Sequence, residues 1–486
     1  MRRIFGFLLM LLGSSGYHSA MAQSTGSFKA AGNMTMPRAG HTATLLPNGK
    51  VLIAGGSSSA TRSEAVTGAE IYDPSDGTFI QAGNMTTARL RHTATPLPDG
   101  RILIAGGLGS FDNRLPAVAT AELYDPVTGR FAATGSMIAG KSSNTATLLN
   151  NGKVLITGGP RAELYDPATG LFTATGPYAG RSAESVSTAT LLPDGRVLFA
   201  GWSGNCEPTE LYDPVTGTFS ATGPMTGCDN VYTAGTLLMD GKVLFAGNIE
   251  SNYVAAAEVF DPATGTFTPL EGAPVAAVST FTLLPDGTVL IAGGVLPGGG
   301  GGPLASIYDS TTGKFAFAGE MTIGRAVNAA TLLSDGTVLI TGGFGPRPPS
   351  VGLPTTEIFV LASAEIYKPF LLRPAPALLA LSGDGRGQGA ILHARTARVV
   401  TASDPGVPGE VLEIYSTGLQ DGSVIPPQVA IGGRLAEILY FGNAPGFIGL
   451  NQVNVRVPSG VPQGPDVPVR LNYLGRPSNA VTIGVQ

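Results

Sequence analysis

The chain has 486 residues, more than the roughly 50 to 250 residues of an ordinary domain, which indicates two domains or a repeat architecture. Its 69 Gly and 37 Pro, beside frequent β-branched residues, favour short strands and tight turns over long helices. With 34 acidic against 29 basic residues and a formal charge of −5, the composition argues against nucleic-acid binding, which depends on clustered Lys and Arg.

The first residues are typical of a secretory signal. Arginines at positions 2 and 3 precede an apolar run over residues 4–12, and a small-residue Ala-Met-Ala ends at Ala22, the order found in signal peptides. The run is shorter than the ~20 residues that span a bilayer. We therefore expect cleavage after Ala22, rather than an uncleaved anchor, and no membrane span in the mature chain. Loss of residues 1–22 removes two arginines and moves the charge from −5 to −7. The expected location is periplasmic, cell-surface or secreted.

One sequence unit then recurs seven times between residues 25 and 370. Its first copy reads HTATLLPNGKVLIAGG at 41–56 and AEIYDPSDGTF at 69–79. The Asn-Gly or Asp-Gly pair predicts a tight hairpin between the first two strands, and each unit carries four strand signals. A spacing of 43 to 52 residues fits propeller blades, and it is marked by the hairpin glycines Gly49, Gly100, Gly152, Gly195, Gly241, Gly287 and Gly336.

The two ends of the repeat region complement each other. The seventh unit stops after AEIYKP at 364–369 without a fourth strand, whereas a fourth-strand signature, TGSF, stands at 25–28. We predict that residues 26–31 pair onto the seventh blade and close the ring, which removes an open sheet edge. The predicted fold class is all-β, a seven-bladed β-propeller followed by a β-sandwich.

The repeated signature resembles kelch repeats. Four features across residues 25–370 match the kelch pattern. They are the Gly-Gly that ends the second strand, the Tyr-Asp-Pro of the third, the aromatic residue of the fourth and the Met-x-x-x-Arg that leads into the next unit. The resemblance implies a propeller of the galactose oxidase and kelch superfamily. Such propellers mostly serve as binding platforms, and a minority, similar to galactose oxidase, carry a copper radical site.

Residues that recur in every unit are architectural, whereas positions that differ are free to carry function. We expect each turn aspartate, as in Asp73, to cap its own backbone. The hairpins and Asp-Pro turns fall on one face, so the variable loops and the connections between units share the opposite face, where recognition usually sits.

Two rings of varied polar residues are predicted to open onto that loop face near the channel. In kelch relatives, arginines at the second ring often contact the ligand, but both rings could instead line a water-filled channel. The first ring holds His41, His92, Asn144, Ser187, Tyr232, Ser279 and Asn328, and the second holds Arg38, Arg89, Lys141, Arg181, Asp229 and Arg325.

Units four and five depart most from the pattern. Trp202 and Asn248 replace the second glycine of the Gly-Gly pair. Cys206 and Cys228 are the only cysteines of an exported chain, so we expect a disulfide between them. A loop fixed in this way could stack Trp202 and Tyr232 on a sugar ring; alternatively, Trp202 fills a gap within its blade.

A second resemblance covers residues 374–486. Segments such as GEVLEIYSTGL at 409–419 and GLNQVNVRVP at 449–458 look like a C-terminal module of exported soil-bacterial proteins that is similar to immunoglobulin-like TIG domains. Alternating runs between Gly and Pro turns fit a sandwich. The resemblance implies fold more than function.

The leading interpretation is a non-enzymatic, exported protein without a cofactor, whose loop face binds a glycan, a peptide or a surface partner. The alternative is a copper-dependent oxidase similar to galactose oxidase. Such a site needs two histidines and two tyrosines, one of them cross-linked to a cysteine. After signal cleavage only His41, His92 and His393 remain, and His393 lies in the C-terminal module. The ligand count therefore favours the binding protein.

Overall fold

The structure is a computed structural model. It describes residues 26–486 apart from 60–63, 112–115, 142–144, 180–185, 202–208, 227–229, 250–254, 274–279, 296–300, 347–357, 421–422 and 448. For some strand residues beside these gaps, among them Ser187, Tyr232 and Asn248, only the backbone is described. This part of the chain consists of strands and turns without an α-helix. Accordingly, it contains no helix long and apolar enough to cross a membrane.

Strand β1 (Gly26–Asn33) opens the described chain. Six four-stranded antiparallel sheets, sheets 1 to 6, follow in chain order. Their strands are β2 (Thr42–Leu45), β3 (Val51–Ala54), β4 (Gly68–Asp73), β5 (Thr78–Asn84); β6 (Thr93–Pro96), β7 (Ile102–Ala105), β8 (Ala121–Asp125), β9 (Arg130–Ala133); β10 (Ala146–Leu148), β11 (Val154–Ile156), β12 (Glu163–Asp166), β13 (Leu171–Ala174); β14 (Val186–Leu191), β15 (Val197–Gly201), β16 (Glu210–Asp213), β17 (Thr218–Ala221); β18 (Asn230–Leu237), β19 (Val243–Ile249), β20 (Ala255–Asp261), β21 (Thr266–Leu270); β22 (Thr280–Leu283), β23 (Val289–Ala292), β24 (Gly302–Asp309) and β25 (Lys314–Arg325).

Sheet 7 joins the two ends of the repeat region. It contains β26 (Ala329–Leu332), β27 (Val338–Thr341), β30 (Ser363–Pro369) and, as its outer strand, β1. Between β27 and β30, β28 (Phe344–Pro346) and β29 (Ile358–Val360) pair as a separate ribbon. The first strands of the seven sheets touch in a closed circle, in the order β2, β6, β10, β14, β18, β22, β26 and back to β2.

An aromatic pair joins the third and fourth strands of every sheet. In sheet 1 the ring centroids of Tyr72 and Phe79 lie 4.8 Å apart. In sheet 7 the partner of Tyr367 is Phe28 of β1, at 5.0 Å, so β1 supplies the aromatic ring that the seventh unit lacks. Pairs in the other sheets lie at 4.8 to 5.0 Å, namely Tyr124–Phe131, Tyr165–Phe172, Tyr212–Phe219, Phe260–Phe267 and Tyr308–Phe315.

The structural role predicted for the turn aspartates is confirmed. Oδ1 of Asp73 accepts a hydrogen bond from the backbone N–H of Ser75 at 3.0 Å, and the same bond recurs for Asp125, Asp166, Asp213, Asp261 and Asp309. These carboxylates stabilise the turns that the repeated Asp-Pro sequence forms.

The apolar core of the repeat region lies between neighbouring sheets. Leu52 and Ile71 of sheet 1, for example, pack against Ile102, Ile104 and Tyr124 of sheet 2. Burial of one such side chain contributes about 1.5–3 kcal/mol. Each sheet is therefore held chiefly by the two beside it.

The C-terminal module, residues 377–485, has two sheets around a core of its own. The sheet orders are β31-β33-β37-β36, with β32 on β33, and β35-β34-β38-β39, with β40 on β38. The strands are β31 (Ala377–Leu378), β32 (Ile391–His393), β33 (Val411–Thr417), β34 (Gln428–Ile431), β35 (Arg434–Leu435), β36 (Glu437–Asn443), β37 (Asn451–Arg456), β38 (Gly464–Tyr473), β39 (Arg476–Pro477) and β40 (Val481–Val485).

The module contacts the hairpin face, the face that carries the Asn-Gly and Asp-Gly turns. The N–H of Val424 donates to the carbonyl of Met239 at 3.1 Å, and the N–H of Ala375 donates to the carbonyl of Ser334 at 2.7 Å. The opposite face, which carries the connections between sheets, is called the loop face.

Candidate functional site

A buried cation ends the connection that leads into four of the sheets. Arg38, Arg89, Lys141 and Arg325 are at most 1% exposed. Each pairs with a glutamate on the third strand of the sheet that follows it. The pairs are Arg38–Glu70 at 3.1 Å, Arg89–Glu122 at 2.9 Å, Lys141–Glu163 at 3.1 Å and Arg325–Glu365 at 2.8 Å.

Glu70 shows how such a pair holds its connection. Its carboxylate accepts hydrogen bonds from the N–H groups of Thr35 at 2.6 Å and Met36 at 3.3 Å, as well as from Arg38. Nη1 of Arg38 donates to the carbonyl of Gly55 at 2.8 Å. Burial lowers the pKa of Arg38, whereas Glu70 acts in the opposite direction. Each buried charge thus has both a counter-charge and hydrogen bonds, as burial requires.

This placement differs from the sequence-based expectation that these four cations face a ligand. In the structure they bind the protein's own glutamates, and their charged groups have almost no surface through which a ligand could be contacted. The reason is a partner that lies far away in the sequence, 32 residues for Arg38. The ligand contact predicted for Arg38, Arg89, Lys141 and Arg325 has no support in their geometry.

The described members of the polar ring, His41, His92 and Asn328, are also buried, at 5–8% exposure. Nε2 of His41 lies 2.8 Å from Oγ1 of Thr341 in sheet 7, and Nε2 of His92 lies 3.0 Å from Oγ1 of Thr42 in sheet 1. Each imidazole therefore bridges its own sheet to the preceding one.

Both imidazoles are neutral near pH 7. Burial lowers the pKa of His41 to about 3, and the charges of Arg38 and Arg325 act in the same direction. Burial likewise lowers the pKa of His92 to about 3, with a contribution from Arg89. A neutral imidazole can donate or accept hydrogen bonds and can bind a metal ion.

Several polar atoms are buried at this ring. Among the residues described, both amide atoms of Asn328 have no hydrogen-bond partner, and Nδ1 of His41 and Nδ1 of His92 make no well-aligned hydrogen bond, although a backbone group of Arg38 interacts with the first imidazole and one of Arg89 with the second. Buried polar groups are normally satisfied by protein, water or ligand. These atoms lie in sheets 7, 1 and 2, at the start of the innermost strands.

The residue before each of His41, His92 and Asn328 has a left-handed backbone conformation. The φ angles are 65° for Gly40, 51° for Arg91 and 55° for Val327, and such angles are rare for a β-branched residue. The N–H of Gly40 donates to Val327 O at 3.2 Å, and that of Arg91 donates to Gly40 O at 2.7 Å. Backbone strain of this kind concentrates at functional sites. The sequence pattern carries no signal for it, because only one of the three residues is glycine.

An exposed cation stands beside this backbone on the loop face. The guanidinium of Arg91 lies 5.1 Å from the ring centroid of Phe111, and Phe111 stacks with Phe344 at 5.4 Å. Arg91 is exposed and both rings are half-buried. Sequence reasoning missed this group, although the position of Arg91 directly before His92 was an available signal.

Several predicted site residues lie outside the described part of the chain. They are Asn144, Arg181, Trp202, Cys206, Cys228 and Asp229, and the predicted disulfide falls with them. Of Tyr232 and Asn248 the backbone is described: in the β18–β19 pairing, Tyr232 lies opposite Gly247, and Asn248 lies opposite Val231. The roles predicted for all of these residues stay predictions.

A copper site needs several nitrogen, oxygen or sulfur ligands that converge. Within the described segments, no three His, Cys, Asp or Glu side chains form a group that could hold a metal ion. His41 and His92 are the described imidazoles closest to such a role, because both rings are neutral near pH 7 and start neighbouring innermost strands. His393 is separate, since it lies in the module and its Nδ1 is 2.6 Å from Glu410. The described residues therefore supply two candidate ligands and do not complete a copper site.

Comparison with known proteins finds similar solved structures but no similar sequence. No family model and no curated protein matches the sequence. A solved structure of a fungal alcohol oxidase of the AA5 family, in complex with copper, matches with a TM-score of 0.61 and 17% identity, over 95% of this chain and 100% of that chain. The structure of YjhT matches with a TM-score of 0.43 and 14% identity, over 68% of this chain and 95% of that chain.

The first match confirms the predicted all-β, propeller-type fold. The same match corrects the leading functional interpretation. A non-enzymatic binding protein was inferred from what kelch propellers mostly do and from the count of candidate copper ligands, whereas a solved structure that matches along almost the whole chain is that of a copper-bound oxidase. At 17% identity the likeness itself establishes the fold.

Proposed function

We propose that the seven four-stranded sheets are the blades of a seven-bladed kelch-type propeller over residues 25–370. The closed circle of first strands and the aromatic pair in every sheet support this architecture. Residues 374–486 would form the immunoglobulin-like sandwich, since two sheets there share one core. Residues 1–22 would direct export.

The proposed function is oxidation of an alcohol group on a carbohydrate or another small alcohol. The observation that carries the proposal is the match to a copper-bound alcohol oxidase over 95% of the chain. Copper, when bound, would supply the one-electron and O₂ chemistry of such a reaction. Because the described residues do not complete its ligand set, no catalytic step is assigned to the metal.

The candidate site has two parts that suit this chemistry. His41 and His92 would be the imidazole ligands, since burial keeps both rings neutral and they occupy equivalent positions in neighbouring sheets. Arg91 would donate hydrogen bonds to substrate hydroxyl groups, and Phe111 beside it would contact the apolar face of a sugar ring.

Metal binding tests this assignment directly. The chain from Gln23 onward is loaded with Cu(II) and desalted, and the bound copper is measured per chain. We expect about one copper per chain, lost in the double variant His41→Asn with His92→Asn. Asparagine already occupies the same ring position at 328, so the variant should keep the fold.

His393→Asn is the matched control, because it removes an imidazole from the other domain, and it should leave the copper content unchanged. Thermal unfolding of each variant shows that it is folded. A folded double variant with undiminished copper would contradict the ligand assignment.

A further inference from the structure

A cleft of about 1300 Å³ separates part of the hairpin face from the C-terminal module. One wall comes from the hairpins of sheets 3 and 4, with Asn150 and residues 191–193. The other wall includes five consecutive residues of β36, from Glu437 to Phe441. The cleft lies across the molecule from Arg91 and the loop face.

The wall formed by β36 is the open edge of a sheet. Among the described strands, β36 stands last in its sheet and pairs with β37 alone. Its other edge therefore has no neighbouring strand among the described residues, and residues from Glu437 to Phe441 line the cleft. An open edge presents backbone N–H and C=O groups that another chain can pair with.

Apolar side chains flank this edge. Leu439 is 41% exposed and Tyr440 is 44% exposed, and Leu439 lies at the bulge where the β36–β37 register shifts. Leu191, Leu192 and Pro193 face them from the propeller side of the cleft. The cleft therefore combines a backbone edge with apolar walls.

The charges at the cleft cancel. Nε of Arg456 donates to Oε2 of Glu437 at 2.8 Å, so the pair offers no net charge to a ligand. The O–H of Tyr440 donates to the carbonyl of Asn443 at 3.2 Å, and the open edge of β36 presents main-chain groups whose alternating spacing matches a polypeptide backbone. This chemistry favours an extended peptide over an anion or a cation.

We propose that the cleft binds an extended segment of a partner protein, apolar at alternate positions, as an additional strand on β36. The site adjoins the contact between the C-terminal module and the hairpin face. Val424 lines the cleft, and its N–H donates to the carbonyl of Met239 at 3.1 Å. That contact joins the module to the propeller beside the opening. The proposal is independent of oxidase activity.

A labelled peptide tests the proposal on the whole mature chain. The peptide copies residues 449–458, which include β37, the strand that β36 already accepts as a neighbour. A second peptide has the same sequence with N-methyl groups on alternate residues, so that it cannot donate main-chain hydrogen bonds. We expect saturable binding of the first peptide, weakened about tenfold or more by N-methylation, together with slower hydrogen exchange at residues 437–443.

Leu439→Asp should weaken peptide binding about tenfold or more, because it puts a charge between apolar walls. Ile138→Asp is the matched control, since Ile138 is an apolar residue that is 71% exposed and does not line the cleft. It should leave binding unchanged. The proposal would be overturned if neither peptide bound, or if the N-methylated peptide bound as tightly as the first. Full binding by the folded Leu439→Asp variant would overturn it too, as would self-association of the chain through residues 437–443.

Discussion

The carboxylate of Glu70 accepts two hydrogen bonds from Arg38, at 3.1 Å from both Nε and Nη2. Neither side chain is more than 1% exposed. Because Glu70 also accepts from the N–H of Thr35, the pair fixes the connection between sheet 7 and sheet 1 at the same time as it neutralises itself.

Removal of one partner from this pair should destabilise the fold strongly. Glu70→Gln leaves the Arg38 guanidinium buried without its counter-charge, and we expect a loss of about 3–5 kcal/mol in the free energy of unfolding. Urea unfolding measures it. Lys50→Met breaks a pair of similar length, Lys50–Asp73 at 2.8 Å, whose side chains are 39% and 20% exposed. That control should cost far less, because an exposed pair is screened by water, and equal losses in the two variants would contradict the role given to burial.

Acid should destabilise the fold through the ring histidines. Both have a pKa near 3 in the folded chain against 6.5 as the ordinary value, so the unfolded chain binds protons first as the pH falls. The free energy of unfolding is therefore unaffected by protonation of these histidines well above pH 6.5. Below that pH it falls by up to ~1.4 kcal/mol per pH unit for each histidine. Urea unfolding between pH 7 and pH 5 should show a smaller slope for His92→Asn than for the parent. An unchanged slope would show that His92 is not held neutral.

The first glycine of the Gly-Gly pairs at 55, 293 and 342 should tolerate no side chain, because an added Cβ would meet a backbone carbonyl. At Gly55 the φ angle is 62°, and an added Cβ would collide with the carbonyl of Arg89 and lie 2.7 Å from Cε1 of His92. We expect Gly55→Ala to cost roughly 3 kcal/mol or more. Gly77 has a similar φ of 73° but nothing within 4 Å of its added Cβ, so Gly77→Ala should cost only ~1 kcal/mol. Equal melting temperatures for the two variants would rule out the predicted collision.

Strand β1 should be required for closure of sheet 7. A chain that lacks residues 26–33 exposes the edge of β30 and loses the Phe28–Tyr367 contact. We expect it to self-associate, as seen by light scattering, because an open edge pairs with other chains. A synthetic peptide of residues 26–33 should suppress this association, whereas the same peptide with alanine at position 28 should do so less well. A truncated chain that stays monomeric would contradict the closure.

The fold could be predicted because the same local signals occur seven times. Asn-Gly and Asp-Gly pairs set the hairpins, and the Tyr and Phe positions recur in fixed places. The burial of Arg38 could not be predicted from its own neighbourhood, since its partner lies on another strand. The sequence nevertheless carries a signal for this pairing. In unit six, Ser306 pairs with Ile291 at the position where Glu70 pairs with Ile53 in unit one. Unit six thus lacks the glutamate, and it also lacks a cation at the position of Arg38.

The candidate site was predicted less well, for physical reasons. The positive φ angle of Val327 arises from contacts between sheets, and no local residue pattern encodes it. The contact between Arg91 and Phe111 likewise has no local sequence signal, because Phe111 lies in a loop of variable length. The positions of the ring histidines were visible as repeats, but the bridges to Thr341 and Thr42 required the closed circle of sheets.

The most direct test of the proposed oxidase is turnover. The copper-loaded chain is supplied with oxygen and a panel of primary alcohols that includes galactose, and hydrogen peroxide is measured as it forms. The proposal predicts peroxide release that depends on both copper and substrate and that falls at least about tenfold in Arg91→Ala. A folded chain that binds copper and yet releases no peroxide with any member of the panel would contradict it.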